Sequence, residues 1–203
     1  MCKKVIVIGG GGHAKIMIDC IRRAGDTVFG VLDDGLATGT EILGAAVLGK
    51  VDSAPDYPDC QFVIAIGNNA VRKAISEKLD VHWYTAIHPR AVVSEYATVG
   101  EGTMVLANAV VNPCATVGRH CIINTASVVE HDNKIADFVH ISPRAALAGN
   151  VTVGELTQVG IGAAVRQNIT ICGGCVIGAG AAVVKDISKE GIYAGVPAKK
   201  LCK

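Results

Sequence analysis

The chain has 203 residues, and its 19 Lys and Arg offset 18 Asp and Glu to leave a formal charge of +1. Half of the residues are hydrophobic but only 4% are aromatic, so the core has to be built from Val, Ile, Ala and Leu around 24 glycines. That balance excludes an aromatic-rich binding module, provides no basic field for nucleic acid or an anionic membrane, and contains no apolar run near the ~20 residues of a spanning helix.

The first 85 residues alternate strand and helix signals. Lys3–Ile8 is a β-branched run that leads into Gly9-Gly10-Gly11-Gly12-His13-Ala14. Met17, Ile21 and Ala24 then recur at helical spacing, and Gly25 supplies a C-cap. Thr27–Leu32 forms a second strand ending in Asp33-Asp34-Gly35. Phe62–Ile66 forms another, ending in Gly67-Asn68-Asn69, before a helix over Ala70–Leu79. The alternation predicts a small parallel α/β domain, Rossmann-like, over residues 1–85. Ligands belong at the carboxyl ends of its strands, where all three polar loops lie. The glycine turn fits a dinucleotide fingerprint with Asp33 about 20 residues on, yet so short a unit supplies about one mononucleotide half. A phosphate or nucleotide-sugar site at the helix N-terminus and a purely structural turn both remain open.

From Ile87 the pattern changes to a strict period of six. Ile87, Val93, Val99, Val105, Val111, Val117, Ile123, Val129, Ile135, Ile141, Leu147, Val153, Val159, Val165, Ile171, Ile177 and Val183 fall at the same hexad position without one insertion. Four places further on, from Ala91 to Ile187, nearly every residue is small or apolar. Such a period suits short flat sides, each sending one aliphatic side chain inward, and predicts a β-helix over residues 86–203 with a short C-terminal tail. With three sides per coil, stacked positions lie 18 residues apart and coils rise ~4.8 Å.

The eight cysteines are scattered, and free thiols in a reducing compartment are the simpler reading. Only Cys172-Gly-Gly-Cys175 has metal-like spacing, without a second ligand pair, so no metal is expected. In the hexad frame Cys175 points inward and Cys172 falls elsewhere, so their side chains are expected not to converge.

Taken together, the glycine turn with His13, Leu32-Asp33-Asp34, Ile64 to Asn69, Ile87-His88-Pro89, Asn124-Thr125 through Glu130-His131-Asp132, and Gly195 to Lys199 resemble bacterial hexapeptide-repeat sugar acetyltransferases. The relevant members are sialic-acid O-acetyltransferases and UDP-4-amino-sugar N-acetyltransferases. The resemblance implies a left-handed β-helix, a homotrimer with sites between subunits, and acetyl-CoA as donor; a cytoplasmic location is the expectation from the short apolar runs. It implies a nucleotide-linked (UDP- or dTDP-) 4-amino-4,6-dideoxy sugar of glycan biosynthesis as acceptor. O-acetylation of a sialic-acid-like sugar and a non-catalytic sugar-binding partner are the alternatives. The catalytic positions fall on His131 and Asp132. Substrate contacts fall on Gly11, Gly12, His13, Asp33, Asp34, Gly67 and Asn124, and acetyl-CoA contacts on His140, Ile161 and Ala179. Relatives often carry Glu where this chain has Asp132, and some carry Gly where it has Ala179.

Chemistry supports these positions unequally. Acetyl transfer to an amine requires a base, and an imidazole with a pKa near ~6.5 is suited to it. His131 lies off both inward frames, with Gly149 stacked one coil later, although an ordinary surface histidine would also sit there. His140 either meets the cofactor or faces solvent, and His13 either meets substrate or caps its helix. Gly160 with Gly178, and Gly162 with Gly180, are 18 apart and form bare stripes that fit either a pantetheine arm or the repeat's own turns. Lys199, Lys200 and Lys203 reach CoA phosphates or are simply solvated. Asp33 and Asp34 either bracket a substrate ammonium or bond backbone N–H groups in an Asp-Asp-Gly turn.

Overall fold

The computed structural model describes residues 2–201; Cys202 and Lys203 lie outside the described residues. Near the N-terminus, strands β1 (Lys4–Ile8), β2 (Thr27–Leu32), β3 (Glu41–Ile42), β4 (Ala45–Gly49) and β5 (Gln61–Ile64) form a sheet ordered β3-β4-β2-β1-β5. All pairings are parallel except β3 with β4. Helices α1 (Gly12–Arg23) and α2 (Asn69–Lys78) follow β1 and β5. At the end of α1 the Gly25 N–H donates to Arg22 and the Asp26 N–H to Ile21, while Gly25 takes a φ of +85° that closes the turn. The β3–β4 hairpin escaped the sequence pattern because β3 has two residues and β4 is rich in Ala and Gly.

Seventeen two-residue strands between Ala86 and Val183 then wind a left-handed parallel β-helix of nearly six coils. Each strand pairs with the one 18 residues away, as in Ile123 opposite both Val105 and Ile141. The hexad aliphatics fill the prism with Val105, Val111, Ile123, Val129, Ile141, Leu147, Val153, Val159 and their neighbours. Full burial stabilises the fold by about 1.5–3 kcal/mol for each side chain of Val or Ile size. Where the second inward frame carries hydroxyls, they are bonded: Thr103 Oγ1 donates to the Gly118 carbonyl at 2.8 Å, and Ser127 Oγ to that of Asn124 at 2.7 Å.

The outward residues give the three faces different roles. Face one carries Ala86, Met104, Ile122 and His140, and its apolar members pack with α1 and the β-sheet in one shared core. Face two carries Val92, Val110, Val128, Ala146, Ala164 and Ala182, apolar along its whole length and incompletely covered, with Val92 62% exposed. Face three carries Thr98, Thr116, Lys134, Thr152 and Thr170. The corners demand left-handed backbone, adopted even by Asp132, His120, Phe138 and Asn150. Inter-coil hydrogen bonding and packing on both sides offset that local cost.

Two expectations change. The thiols of Cys172 and Cys175 do converge, with 3.5 Å between the sulfurs, because the Gly173-Gly174 corner folds the chain so tightly that its flanking side chains meet. The Gly160 and Gly178 stripe is covered by neighbouring backbone and tail: a Cβ on Gly160 would lie 2.4 Å from the Ile177 carbonyl oxygen, and one on Gly178 would lie 3.0 Å from Ala194 Cβ. Gly162 and Gly180 are open, with no atom within 4 Å of a built Cβ.

Candidate functional site

The sequence-predicted residues fall into three groups on the prism. His131 and Asp132 form the corner between faces two and three, opposite face one. Asp132 accepts from the imidazole through its Oδ2, 2.7 Å from His131 Nδ1, so the shorter carboxylate reaches its partner. Both side chains are more than half exposed. With Nδ1–H engaged, the neutral ring keeps its lone pair on Nε2. Gly149 forms the floor, since a Cβ there would stand 2.6 Å from Nε2 and 2.5 Å from Cε1.

A crevice at the carboxyl ends of β1, β2 and β5 holds the second group. Gly11 and Gly12 open α1 without a side-chain cap, and nothing lies within 4 Å of a Cβ built on either. Both oxygens of Asp33 accept backbone N–H groups, Oδ2 from Gly10 at 2.6 Å and Oδ1 from Gly35 and Leu36 at 2.8 and 2.9 Å. Asp34 Oδ1 accepts the Val51 N–H at 3.0 Å. Both carboxylates thus bond backbone N–H groups of their own loop or the segment it packs against. Gly67 lies so close to His13 that a Cβ would sit 3.1 Å from the ring Nε2.

Behind this crevice, His140 packs edge-on to His13 with ring centroids 5.8 Å apart, and is only 6% exposed. The solvent-facing alternative for His140 is thereby removed. Its Nε2 is 2.9 Å from the side-chain amide of the buried Asn124. Beneath both lies Arg72, fully buried and missed in the sequence because an arginine on a short amphipathic helix reads as a solvated residue. Its guanidinium donates to the carbonyls of His120, Ile66 and Phe138 at 2.7, 2.9 and 3.0 Å, and to Asn69 Oδ1 at 2.8 Å. Among the described residues no carboxylate pairs with it. Burial, reinforced by this cation, lowers the pKa of His13 and pushes His140 and His120 down to about 4.

The third group lies at the corner between faces one and two, where Ile161 and Ala179 are exposed beside the open Gly162 and Gly180. Lys199 is exposed on the tail strand, and Lys200 Nζ donates to the Glu190 carbonyl at 2.7 Å. No helix among the described residues is long and apolar enough to cross a membrane.

An α/β unit packed on a hexapeptide β-helix, with an exposed histidine–carboxylate pair at one corner, defines a hexapeptide-repeat acyltransferase. Residues 4–79 match the family described as the PglD N-terminal domain. The structure of PerB from Caulobacter crescentus in complex with CoA and GDP-perosamine superposes with a TM-score of 0.94 at 37% identity, over 100% of this chain and 99% of that one. The acetyltransferase domain of PglB from Neisseria gonorrhoeae gives 0.92 at 36% identity, over 98% and 100%. A Bacillus subtilis UDP-N-acetylbacillosamine N-acetyltransferase is 43% identical over 107 residues, 49% of this chain and 50% of that protein, so the match spans about half the length of this curated relative. The chain belongs to the hexapeptide-repeat sugar N-acetyltransferases.

Proposed function

We propose that the protein transfers an acetyl group from acetyl-CoA to the amine of a nucleotide-linked 4-amino-4,6-dideoxy sugar, with His131 as general base. The observation that carries this reading is the exposed imidazole whose Nδ1 is held by Asp132 and whose free Nε2 edge passes over Gly149. As the neutral amine attacks the thioester carbon, a C–N bond forms, Nε2 takes the amine proton, and the C–S bond breaks to release the CoA thiolate, which is then protonated. Asp132 stabilises the imidazolium at that moment without taking its proton. The uncapped start of α1 and the open Gly11 and Gly12 suit a diphosphate, whose charge complements backbone N–H groups and helix dipole. The exposed Ile161 and Ala179, with bare Gly162 and Gly180 beside them, leave space for a pantetheine arm.

A single chain holds the base and the sugar crevice on opposite sides of a packed prism. A site shared between copies reconciles them, and the apolar ladder of face two from Val92 to Ala182 is the surface that copies would bury. We therefore read the protein as the homotrimer that the resemblance implies. Preference for an amine over a hydroxyl rests on the relatives, because the Asp33–Asp34 pair serves its own loop. UDP or dTDP is the nucleotide carried by the resemblance, and the GDP-perosamine bound to the Caulobacter relative sets the control.

Thiol release from acetyl-CoA, measured against UDP-, dTDP- and GDP-linked 4-amino sugars and free sialic acids, tests the whole reading. Turnover with a UDP- or dTDP-amino sugar is expected. Turnover only with sialic acids would make the protein an O-acetyltransferase, and turnover with none would leave a sugar-binding protein.

A further inference from the structure

Asn124 has a surplus of information in its contacts. Its Oδ1 accepts the Thr125 backbone N–H at 2.8 Å. A backbone N–H only donates, so the atom facing it is the oxygen and the other end of the amide is the NH2. That NH2 points at His140 Nε2 from 2.9 Å, and an amide nitrogen only donates. His140 Nε2 is therefore an acceptor, which leaves the neutral ring's proton on Nδ1. Nδ1 is buried with no hydrogen-bond partner among the described residues, and the ring packs edge-on against His13 with centroids 5.8 Å apart. The Gly67 turn is held from below, where Arg72 Nη1 lies 2.9 Å from the Ile66 carbonyl oxygen and 3.4 Å from that of Gly67. Gly67 in turn abuts the His13 ring.

We propose that Asn124 is a positioning residue: it fixes His140 as the Nδ1–H tautomer, and His140 holds the His13 ring by packing while Arg72 holds the Gly67 turn, in the geometry that receives the nucleotide sugar. The assignment rests on the acetyltransferase reading for its ligand but not for its chemistry. It makes His140 a donor at Nδ1 and excludes it as the base, in keeping with its burial. Arg72 supports the same state, since a second positive charge beside an unpaired buried guanidinium is disfavoured and the ring stays neutral.

Nitrogen-15 NMR of the histidine side chains in the full-length protein reads the tautomer directly. His140 is expected to show a protonated Nδ1 and an unprotonated Nε2, unchanged between pH 8 and pH 6. Asn124→Asp keeps an acceptor for the Thr125 N–H but turns an oxygen toward Nε2, so the proton should move to Nε2 or the ring should become doubly protonated. The KM for the nucleotide sugar, or the Kd for UDP alone, should then rise roughly tenfold, the loss of about one net hydrogen bond. KM for acetyl-CoA and kcat should move much less. Arg72→Lys keeps the charge without the planar fork, and should raise hydrogen exchange at the Gly67 and Asn68 amides while leaving the His140 tautomer in place. A wild-type ring protonated on Nε2 overturns the proposal without any variant. So does an Asn124→Asp protein in which the proton moves and both sugar KM and UDP affinity stay put. If no sugar is acetylated but the proton moves and UDP binding weakens, the positioning role stands and the acetyltransferase reading fails.

Discussion

His131 stands on a prism corner with 61% of its side chain exposed, whereas His140, on the opposite face, is sealed between the β-helix and the α/β unit beside a buried cation. The same side chain therefore meets two kinds of physics. At the corner, the imidazole lies open to solvent with its Nδ1 held by Asp132 and its Nε2 edge free. Behind the crevice, desolvation and Arg72 hold His140 neutral down to about pH 4, where its ring accepts from Asn124 and packs against His13. The proposed proton transfer belongs to the first environment and the proposed positioning role to the second.

The sharpest way to break this contrast is His131→Ala. It should lower kcat by roughly 10²- to 10⁴-fold, the usual share of general acid–base catalysis, with the thermal midpoint nearly unchanged because the side chain is outside the core. Steady-state thiol release with calorimetry checks both halves, and a variant that keeps most of its kcat would remove His131 as the base. Val128→Lys places a charge in the middle of face two. Light scattering should report loss of the trimer at micromolar concentration, with activity falling in parallel although both histidines are untouched. Full activity in a monomer would show that one chain completes the site alone.

Gly149→Ala makes a smaller demand. Its Cβ would press on the His131 ring from 2.5 Å, so the ring must turn or shift outward. A loss of about tenfold in kcat is expected from such misplacement, with the KM for acetyl-CoA preserved. A wild-type rate would show that the floor does not set the ring's pose.

Acid stability probes the buried member of the comparison. The native pKa values of His140 and His120, about 4, lie below the ~6.5 of an unfolded histidine, so the unfolded chain binds more protons between those values. Their contribution to stability is present above pH 6.5 and is lost as the pH falls toward 4. Each histidine should add a slope of up to about 1.4 kcal/mol per pH unit within that window. Urea unfolding at pH 7, 6 and 5 measures it, and His120→Gln, which removes one titrating group, should shallow the slope. An unchanged urea midpoint across this range would contradict the burial of these rings in the neutral form.

The β-helix was legible because its physics is periodic. One aliphatic side chain every six residues is a packing instruction readable without knowing what lies opposite, and the frame that placed Val129 inward also placed His131 at a corner above Gly149. The α/β unit was legible in its strand ends and helix caps, where glycine and Asx chemistry is local, but the β3–β4 hairpin carried too few residues to leave a pattern. Tertiary structure alone decided which histidine is wet and which is dry, since burial depends on the docking of face one against α1 and the sheet. It also decided that Arg72 lies in the core, that Asp33 and Asp34 brace their own loop, and that Cys172 meets Cys175. Each of these outcomes depends on where the backbone brings donors, acceptors and solvent from distant or tightly turned parts of the chain, and spacing along a sequence carries residue types without that geometry.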